Sequence, residues 1–505
     1  SILHLVQRMP TINTITNYGV RMAKRSLPAQ VGTGRRPKRW LRGDSSAYAT
    51  EEADPDGPRN QTSTRRTGVL RAGKSGKVWP TLGCVRYKLR SMISRVDCRN
   101  FRLFRDVSVQ TGAFQLLIGP NGSGKSSLLD VIALLGDLLR VGLPSAILGD
   151  SRSSVRSRVS DPRQLCFQQR GLGFDLAVEL NLPSSLISEA HDRIRYSVKV
   201  AVDAGKGKET VIDEERLVLL PNEKSTEKSR GVVRLLNSSS SGARLERPIL
   251  QKSSSGRADK YFAETSDWQE SFRLPSRRLA LANLPEDEER FPAANWVRRT
   301  LIEGMDRIEL EAEALRRPSP PGLSTRLLPD GANLPWLVAS ARQQRPEVFA
   351  RYVAHVRTAL PELVDITTVE RAEDRHCYLT LEYAGNIRVP SWVISTGTLR
   401  LLALTFLGYF PAPGGVYLLE EPENGIHPRA IETAYQALST MDGAQLLCTS
   451  HSPVLLNLAH RGNILCFRKT EDGSAAVIPG NEHPALASLQ GSADLGTLFA
   501  AGVLE

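Results

Sequence analysis

The stretch "GPNGSGKSS", residues 119–127, constrains this chain more than any other part of it. It fits G-x-x-x-x-G-K-[ST] through Gly119, Gly124, Lys125 and Ser126. An apolar run ("FQLLI") precedes it, and "SGKSSLLDVIALLGDLLRVG" continues with apolar residues at helical spacing. A strand, a glycine-rich turn and a helix in that order aim backbone N–H groups at phosphate oxygens, and the helix N-terminus adds positive potential. Lys125 then reaches the outer phosphates and the Ser126 hydroxyl ligates Mg²⁺. The candidate nucleotide contacts are Gly119, Asn121, Gly122, Gly124, Lys125, Ser126 and Ser127. A chance glycine-rich turn is the competing reading, and the strand and helix on either side argue against it.

A second apolar run, "VYLLEEPENGIHP" from 416, ends in paired carboxylates. Burying a carboxylate without a partner costs several kcal/mol, so a strand ending this way needs a cation or a proton nearby. Beside a phosphate loop, Glu420 is placed to hold the metal or its waters, and Glu421 to take a proton from the attacking water. Alone, the pair reads more readily as solvated residues opening a loop, because acidic residues at strand ends are usually on the surface.

A third run, "LLCTSHSP", ends in Ser450 and His451, which places the histidine where it can face the γ-phosphate. Between the loop and the acidic strand, "ISTGTLRLL" puts Ser395 and Gly397 at a candidate helix start, an anion-binding geometry that is also a plain helix cap.

Charge separates the chain into two parts. Of 66 Lys and Arg and 54 Asp and Glu, residues 1–90 hold 18 and 5, leaving 48 and 49 in the other 415. The +12 net charge therefore belongs to an N-terminal tail, residues 1–91, that lacks periodicity and reads as disordered. Three readings of the tail stay open. It is an arm for nucleic acid or lipid, a targeting segment (residues 1–43 have no acidic residue), or non-native upstream sequence with the true start at Met92. The six cysteines are scattered with no CxxC pair, which argues against a disulfide framework or zinc site and fits a cytoplasmic protein. No run approaches 18 apolar residues, so no membrane partner is expected.

Strand-like patterns near both ends flank a different middle. The expected fold is α/β, with a mixed-sheet nucleotide-binding core, an antiparallel β lobe and a helical insertion. The ATPase domain is expected over 92–505, interrupted at about 184–390 by strand hairpins and then helices. Helical spacing runs through "ANWVRRTLIEGMDRIELEAEALRR" and through "LPWLVASARQQRPEVFARYVAHVRTALPEL".

Phosphate loop, long insertion, Ser-x-Gly at a helix start, acidic strand and a strand ending in His is the order found in ABC-type P-loop ATPases. The chain resembles ATP-binding proteins of the AAA_21 type, related to the ATPase part of the overcoming-lysogenization-defect (OLD) nucleases and to RecF-like repair ATPases. The pieces that carry the resemblance are "NFRLFRDVSV", "GPNGSGKSS", "LPDGANLP", "STGTLRLLAL", "EEPENGIHP" and "TSHSP", spread from 93 to 453.

The resemblance implies ATP and Mg²⁺ as cofactors, Lys125 and Ser126 as Walker A, and Glu420 and Glu421 as Walker B, with Glu at 420 where many relatives have Asp. It makes Ser395 and Gly397 the signature loop that reaches the nucleotide of a second subunit, and His451 the switch histidine. The Q-loop glutamine has three candidates, Gln164, Gln168 and Gln169. Only about 50 residues follow His451, too few for the nuclease domain of the OLD proteins, so a nuclease or other effector is expected to be a separate protein. The function implied is a homodimeric ATP-hydrolysing switch in DNA repair or phage defence, with DNA as a candidate ligand. A non-hydrolysing nucleotide-dependent scaffold uses the same binding residues. A transporter motor is disfavoured by about 270 residues between Lys125 and Ser395.

Overall fold

The apolar runs that end in motif residues are strands, and they lie side by side. A computed structural model describes residues 91–150, 155–203, 209–222, 246–253, 258–487 and 495–502. All of them fall in one unit, Leu82–Glu505. The basic tail lies outside the described residues except for Ser91, as do the polar stretches 223–245 and 254–257.

The described chain enters through β1 (Ile93–Phe101), β2 (Phe104–Gln110) and β3 (Phe114–Ile118), then crosses the phosphate loop into α1 (Lys125–Val141) and α2 (Leu143–Leu148). A lobe follows, built from β4 (Gly173–Asn181), β5 (His191–Asp203), β6 (Glu209–Pro221), β7 (Arg247–Ser253), β8 (Asp259–Phe262) and β9 (Gln269–Phe272). Next come α3 (Pro292–Glu303), β10 (Met305–Ile308), α4 (Ala312–Arg316), α5 (Leu334–Gln344) and α6 (Pro346–Ala359). A small sheet is formed by β11 (Leu363–Glu370), β12 (Cys377–Tyr383) and β13 (Ile387–Pro390). The last part runs α7 (Thr396–Tyr409), β14 (Val416–Glu420), α8 (Pro428–Ser439), β15 (Gln445–Thr449), α9 (Pro453–Leu458), β16 (Ile464–Lys469) and β17 (Ala475–Pro479). Two short helices, α10 (Pro484–Ala487) and α11 (Leu495–Ala500), complete it.

The central sheet has the order β10–β14–β15–β3–β16–β17, parallel throughout except for β17. Strands buried on both faces are apolar nearly throughout, which is why "FQLLI" and "VYLL" show no polar alternation, the buried Gln115 being bonded to the Gly112 N–H. Their side chains still alternate between two cores. Leu117, Val416, Leu418 and Leu447 join the core shared with α1 and the eight-stranded antiparallel sheet β2–β1–β4–β5–β6–β7–β8–β9. Leu116, Ile118, Tyr417, Leu419 and Leu446 face the other way, into a core shared with α5 to α9 and the β11–β12–β13 sheet. Helix α1 is pressed between the central sheet and the lobe, and that position explains its nearly unbroken apolar sequence.

Two sequence expectations need correction. The helical spacing over 294–317 is broken: α3 stops at Glu303, and "MDRI" is β10, paired in parallel with β14. Sheet pairing buries Met305 and Ile308 and overrides the local helical pattern. The second helical stretch is two helices, with Pro346 opening α6 where it cannot continue α5. The segment 184–390 contributes strands to all three sheets, and β4 pairs with β5 across its first boundary.

Among the described residues, no helix is long and apolar enough to cross a membrane. Cys98, Cys166, Cys377, Cys448 and Cys466 are buried free thiols.

Candidate functional site

Parallel strands end together, so β3, β14 and β15 deliver their C-terminal residues to one edge of the sheet. After β3 the chain turns sharply. Gly119 has φ +143°, and a Cβ there would stand 2.2 Å from the Phe467 carbonyl oxygen, so only glycine lets the loop run this close to β16. Gly122 and Gly124 also take positive φ (69° and 103°), and Gly124 is the N-cap of α1. Asn121 and Gly122 form the exposed tip, where the Lys469 ammonium at the end of β16 lies alongside. The Lys125 ammonium, 6% exposed, donates to the Gly119 and Pro120 carbonyls at 2.8 and 2.9 Å, which holds it at the loop mouth.

Ser126, the second residue of α1, donates its hydroxyl to Glu420 Oε2 at 2.6 Å. The two residues expected at the metal, 294 positions apart, are in direct contact. A hydroxyl and a carboxylate meeting at one point are hard oxygen donors suited to Mg²⁺. Mg²⁺ typically keeps several waters and takes one or two protein oxygens beside the phosphates, and this pair supplies that number. The other oxygen, Glu420 Oε1, accepts from Arg307 Nη2 at 2.6 Å. Sequence reasoning missed Arg307 because it sits on β10, a strand hidden in a helical pattern. Ser126, Ser127, Arg307 and Glu420 line one side of a cavity of about 850 Å³.

Glu421 lies just past the strand with φ +45°, a left-handed conformation that a residue with a Cβ rarely adopts. Its N–H donates to the Thr449 carbonyl, 3.1 Å away at the end of β15, and so turns the chain there. Glu421 Oε2 accepts from Asn424 Nδ2 at 2.6 Å, and Oε1 stands 3.6 Å from His451 Nε2. The candidate base and the candidate switch histidine are therefore neighbours. Both are only partly buried, with 40% and 30% of their side chains exposed. Strain of this kind at a conformationally over-determined position is a mark of functional sites.

Glu423 locks the two turns together. Its Oε1 accepts from Ser450 Oγ at 2.7 Å and from the His451 N–H at 2.9 Å. It stands in the sequence as the third glutamate of "EEPE", but its partners are 27 and 28 positions away and nothing local signals them.

Ser395 and Gly397 lie elsewhere. Ser395 is the N-cap of α7, its Oγ accepting from Thr398 N–H at 3.2 Å. Gly397 presses on the loop after Glu421, where a Cβ would meet the Gly425 carbonyl oxygen at 2.6 Å. Among the described residues no hydrogen bond joins either to the phosphate loop of its own chain. Of the candidate glutamines, Gln164 completes a capping box with Asp161, and Gln168 donates to the Asp472 carbonyl. Gln169, with φ +56°, follows in the same short turn, and the side-chain partners found for Ser126 and Glu420 are each other and Arg307.

A family model described as "AAA domain, putative AbiEii toxin, Type IV TA system" (AAA_21) matches residues 114–457. No curated protein matches the sequence. Among solved structures, the SMC head bound to the C-winged helix domain of ScpA is similar at 15% identity and TM-score 0.44, over 77% of this chain and 97% of that one. The SMC head domain from Thermotoga maritima is similar at 11% identity and TM-score 0.35, over 77% and 98%. The Smc head domain with an extended coiled coil, bound to the C-terminal domain of ScpA derived from Pyrococcus furiosus, gives 14% identity and TM-score 0.39, over 77% and 96%. The family match begins at the strand that opens the phosphate loop and ends beyond His451, and the chain belongs to the AAA_21 family.

Proposed function

We propose that this chain hydrolyses ATP with Mg²⁺ and works as a dimeric switch, closing on ATP and opening after hydrolysis. The observation that carries the reading is the meeting of three strand ends. Ser126 touches Glu420 at 2.6 Å, and Glu421 stands 3.6 Å from His451. In this reading the loop N–H groups and Lys125 hold the phosphates, and Ser126 and Glu420 hold Mg²⁺, which offsets charge developing on the phosphates. Glu421 holds a water and accepts its proton, with Asn424 fixing the carboxylate's far oxygen. His451, held by Glu423 through its backbone, faces the same point.

Ser395 and Gly397, at an N-terminus away from their own phosphate loop, are suited to the nucleotide of a second copy. The switch is proposed to act in DNA repair or phage defence through a separate effector protein, with DNA a candidate ligand. The toxin–antitoxin component named in the family's description supports the defence arm.

The experiment is size-exclusion chromatography of Glu421→Gln with saturating ATP. Unhydrolysed nucleotide is expected to hold two chains together, and Ser395→Arg in the same background to return them to monomer. A protein that stays monomeric with ATP bound sinks the two-chain switch.

A further inference from the structure

The carboxylate expected at the metal is already engaged by a protein cation. Arg307 Nη2 donates to Glu420 Oε1 at 2.6 Å while Ser126 fills Oε2 at the same distance. This contact follows from the sheet. Strand β10 pairs with β14 in parallel, Arg307 opposite Leu418, so its side chain starts two residues short of Glu420 and must reach forward. Two long side chains bridge that gap, and an aspartate at 420 would be one methylene shorter.

Arg307 is also held from behind. Its Nε pairs with Glu309 Oε1 at 2.8 Å, and Glu309 pairs in turn with Arg156 at 3.3 Å. The Glu309 N–H donates to the Pro329 carbonyl, which fixes the strand's exit. The guanidinium is therefore pre-aimed at the carboxylate rather than swinging in solvent.

We propose that Arg307 sets the divalent-cation requirement of the nucleotide site by competing with Mg²⁺ for Glu420. This inference rests on the nucleotide reading above. A fixed positive charge hydrogen-bonded to the metal-site carboxylate opposes a second cation at the same oxygen. With a cation at Glu420, Arg307 would keep Glu309 as its partner, and the added negative charge of the phosphates would be needed to favour that exchange. The pair thus makes metal binding conditional on nucleotide, and Arg307 acts as a positioning residue for Glu420.

The test measures affinity for a fluorescent non-hydrolysable ATP analogue, mant-AMP-PNP, on the full chain across free Mg²⁺ concentrations and in EDTA. In Arg307→Gln the half-saturating Mg²⁺ is expected to fall about tenfold and the gain in analogue affinity on adding Mg²⁺ to shrink, because the metal then binds without waiting for nucleotide. Arg307→Lys keeps the charge but cannot bridge Glu309 and Glu420 together, and its half-saturating Mg²⁺ is expected to lie between the parent's and that of Arg307→Gln. Glu420→Gln is expected to lose most of the Mg²⁺ effect. A merely structural loss in Arg307→Gln lowers affinity equally with and without Mg²⁺ and overturns the proposal. An unchanged or raised half-saturating Mg²⁺ in that variant also overturns it, and if Glu420→Gln is still defective the metal assignment stands. If Glu420→Gln matches the parent as well, the metal assignment itself fails.

Discussion

Two sets of carboxylates in this molecule accept hydrogen bonds in different ways. At the strand ends, Glu420 and Glu421 are partly exposed and take their bonds from side chains: Ser126, Arg307 and Asn424. In the lobe, Glu215 is fully buried and accepts from the Ala280 and Leu281 N–H groups and the Tyr196 hydroxyl. Glu264 accepts from the Ala293 and Ala294 N–H groups at the start of α3. Burial pushes both lobe carboxyls up to about 7, against the pull of those donors. A carboxylate met by backbone donors is committed to one geometry, because those donors cannot leave without unfolding something. One met by side chains can exchange partners for a metal or a water. The first kind ties the lobe's strands to the segment that follows them and to the start of α3, and the second is available for chemistry.

The contrast is broken most directly at Glu421. Glu421→Gln keeps an acceptor for Asn424 but cannot take a proton, so single-turnover ATP hydrolysis is expected to slow by about 10²–10⁴-fold. Its thermal midpoint and ATP affinity should stay near the parent's. Hydrolysis at the parental rate would remove Glu421 as the base.

The lobe should respond in the opposite sense. Glu215→Ala leaves a buried hydroxyl and two N–H groups without their acceptor, and urea unfolding should show a loss of about 2–4 kcal/mol. Turnover per folded molecule should hardly change. A stable Glu215→Ala protein with impaired hydrolysis would erase the distinction between the two sets.

The smallest effect lies in pH. Glu215 and Glu264 have folded-state values raised from 4.5 to about 7, so the folded chain holds protons that the unfolded chain has released. Stability from this source is therefore lost as pH rises through that window. Burial lowers His355 and His483 below 6.5, an opposing trend that fades only above the unfolded value of 6.5 and so offsets part of this loss. Between pH 6.5 and 7.5 unfolding free energy should fall by on the order of 1 kcal/mol. A rising curve over that interval would contradict the burial argument.

The sequence made the site legible where chemistry and fold share a contiguous signal. "GPNGSGKSS" must lie between a strand and a helix to work at all, and "VYLLEE" and "LLCTSH" announce buried strands by unbroken apolarity. Arg307 was invisible because β10 is four residues long and depends on β14, more than 100 positions away. The signal that was available is Gly304, which interrupts the helical pattern just where α3 ends. Glu423 was visible as a residue, but its work depends on two turns meeting in space. The lobe's order was partly legible from alternation in "RIRYSVKVAVD". Its extension through β1 and β2 was not, since those strands read as the lead-in to the phosphate loop.

The alternation of β14 between two cores has a consequence for fidelity. Val416 and Leu418 belong to one side of the sheet, Tyr417 and Leu419 to the other. The residue that follows inherits this parity. Glu420, the last residue of the strand, meets Ser126, and a slip of one position would carry it to the other face. Such a slip would also force a tyrosine into the space of a valine and reverse every contact in two packed interiors. The apolar stretch before the glutamates thus works as a checksum: the interior verifies the count, and the carboxylate arrives where its partner waits.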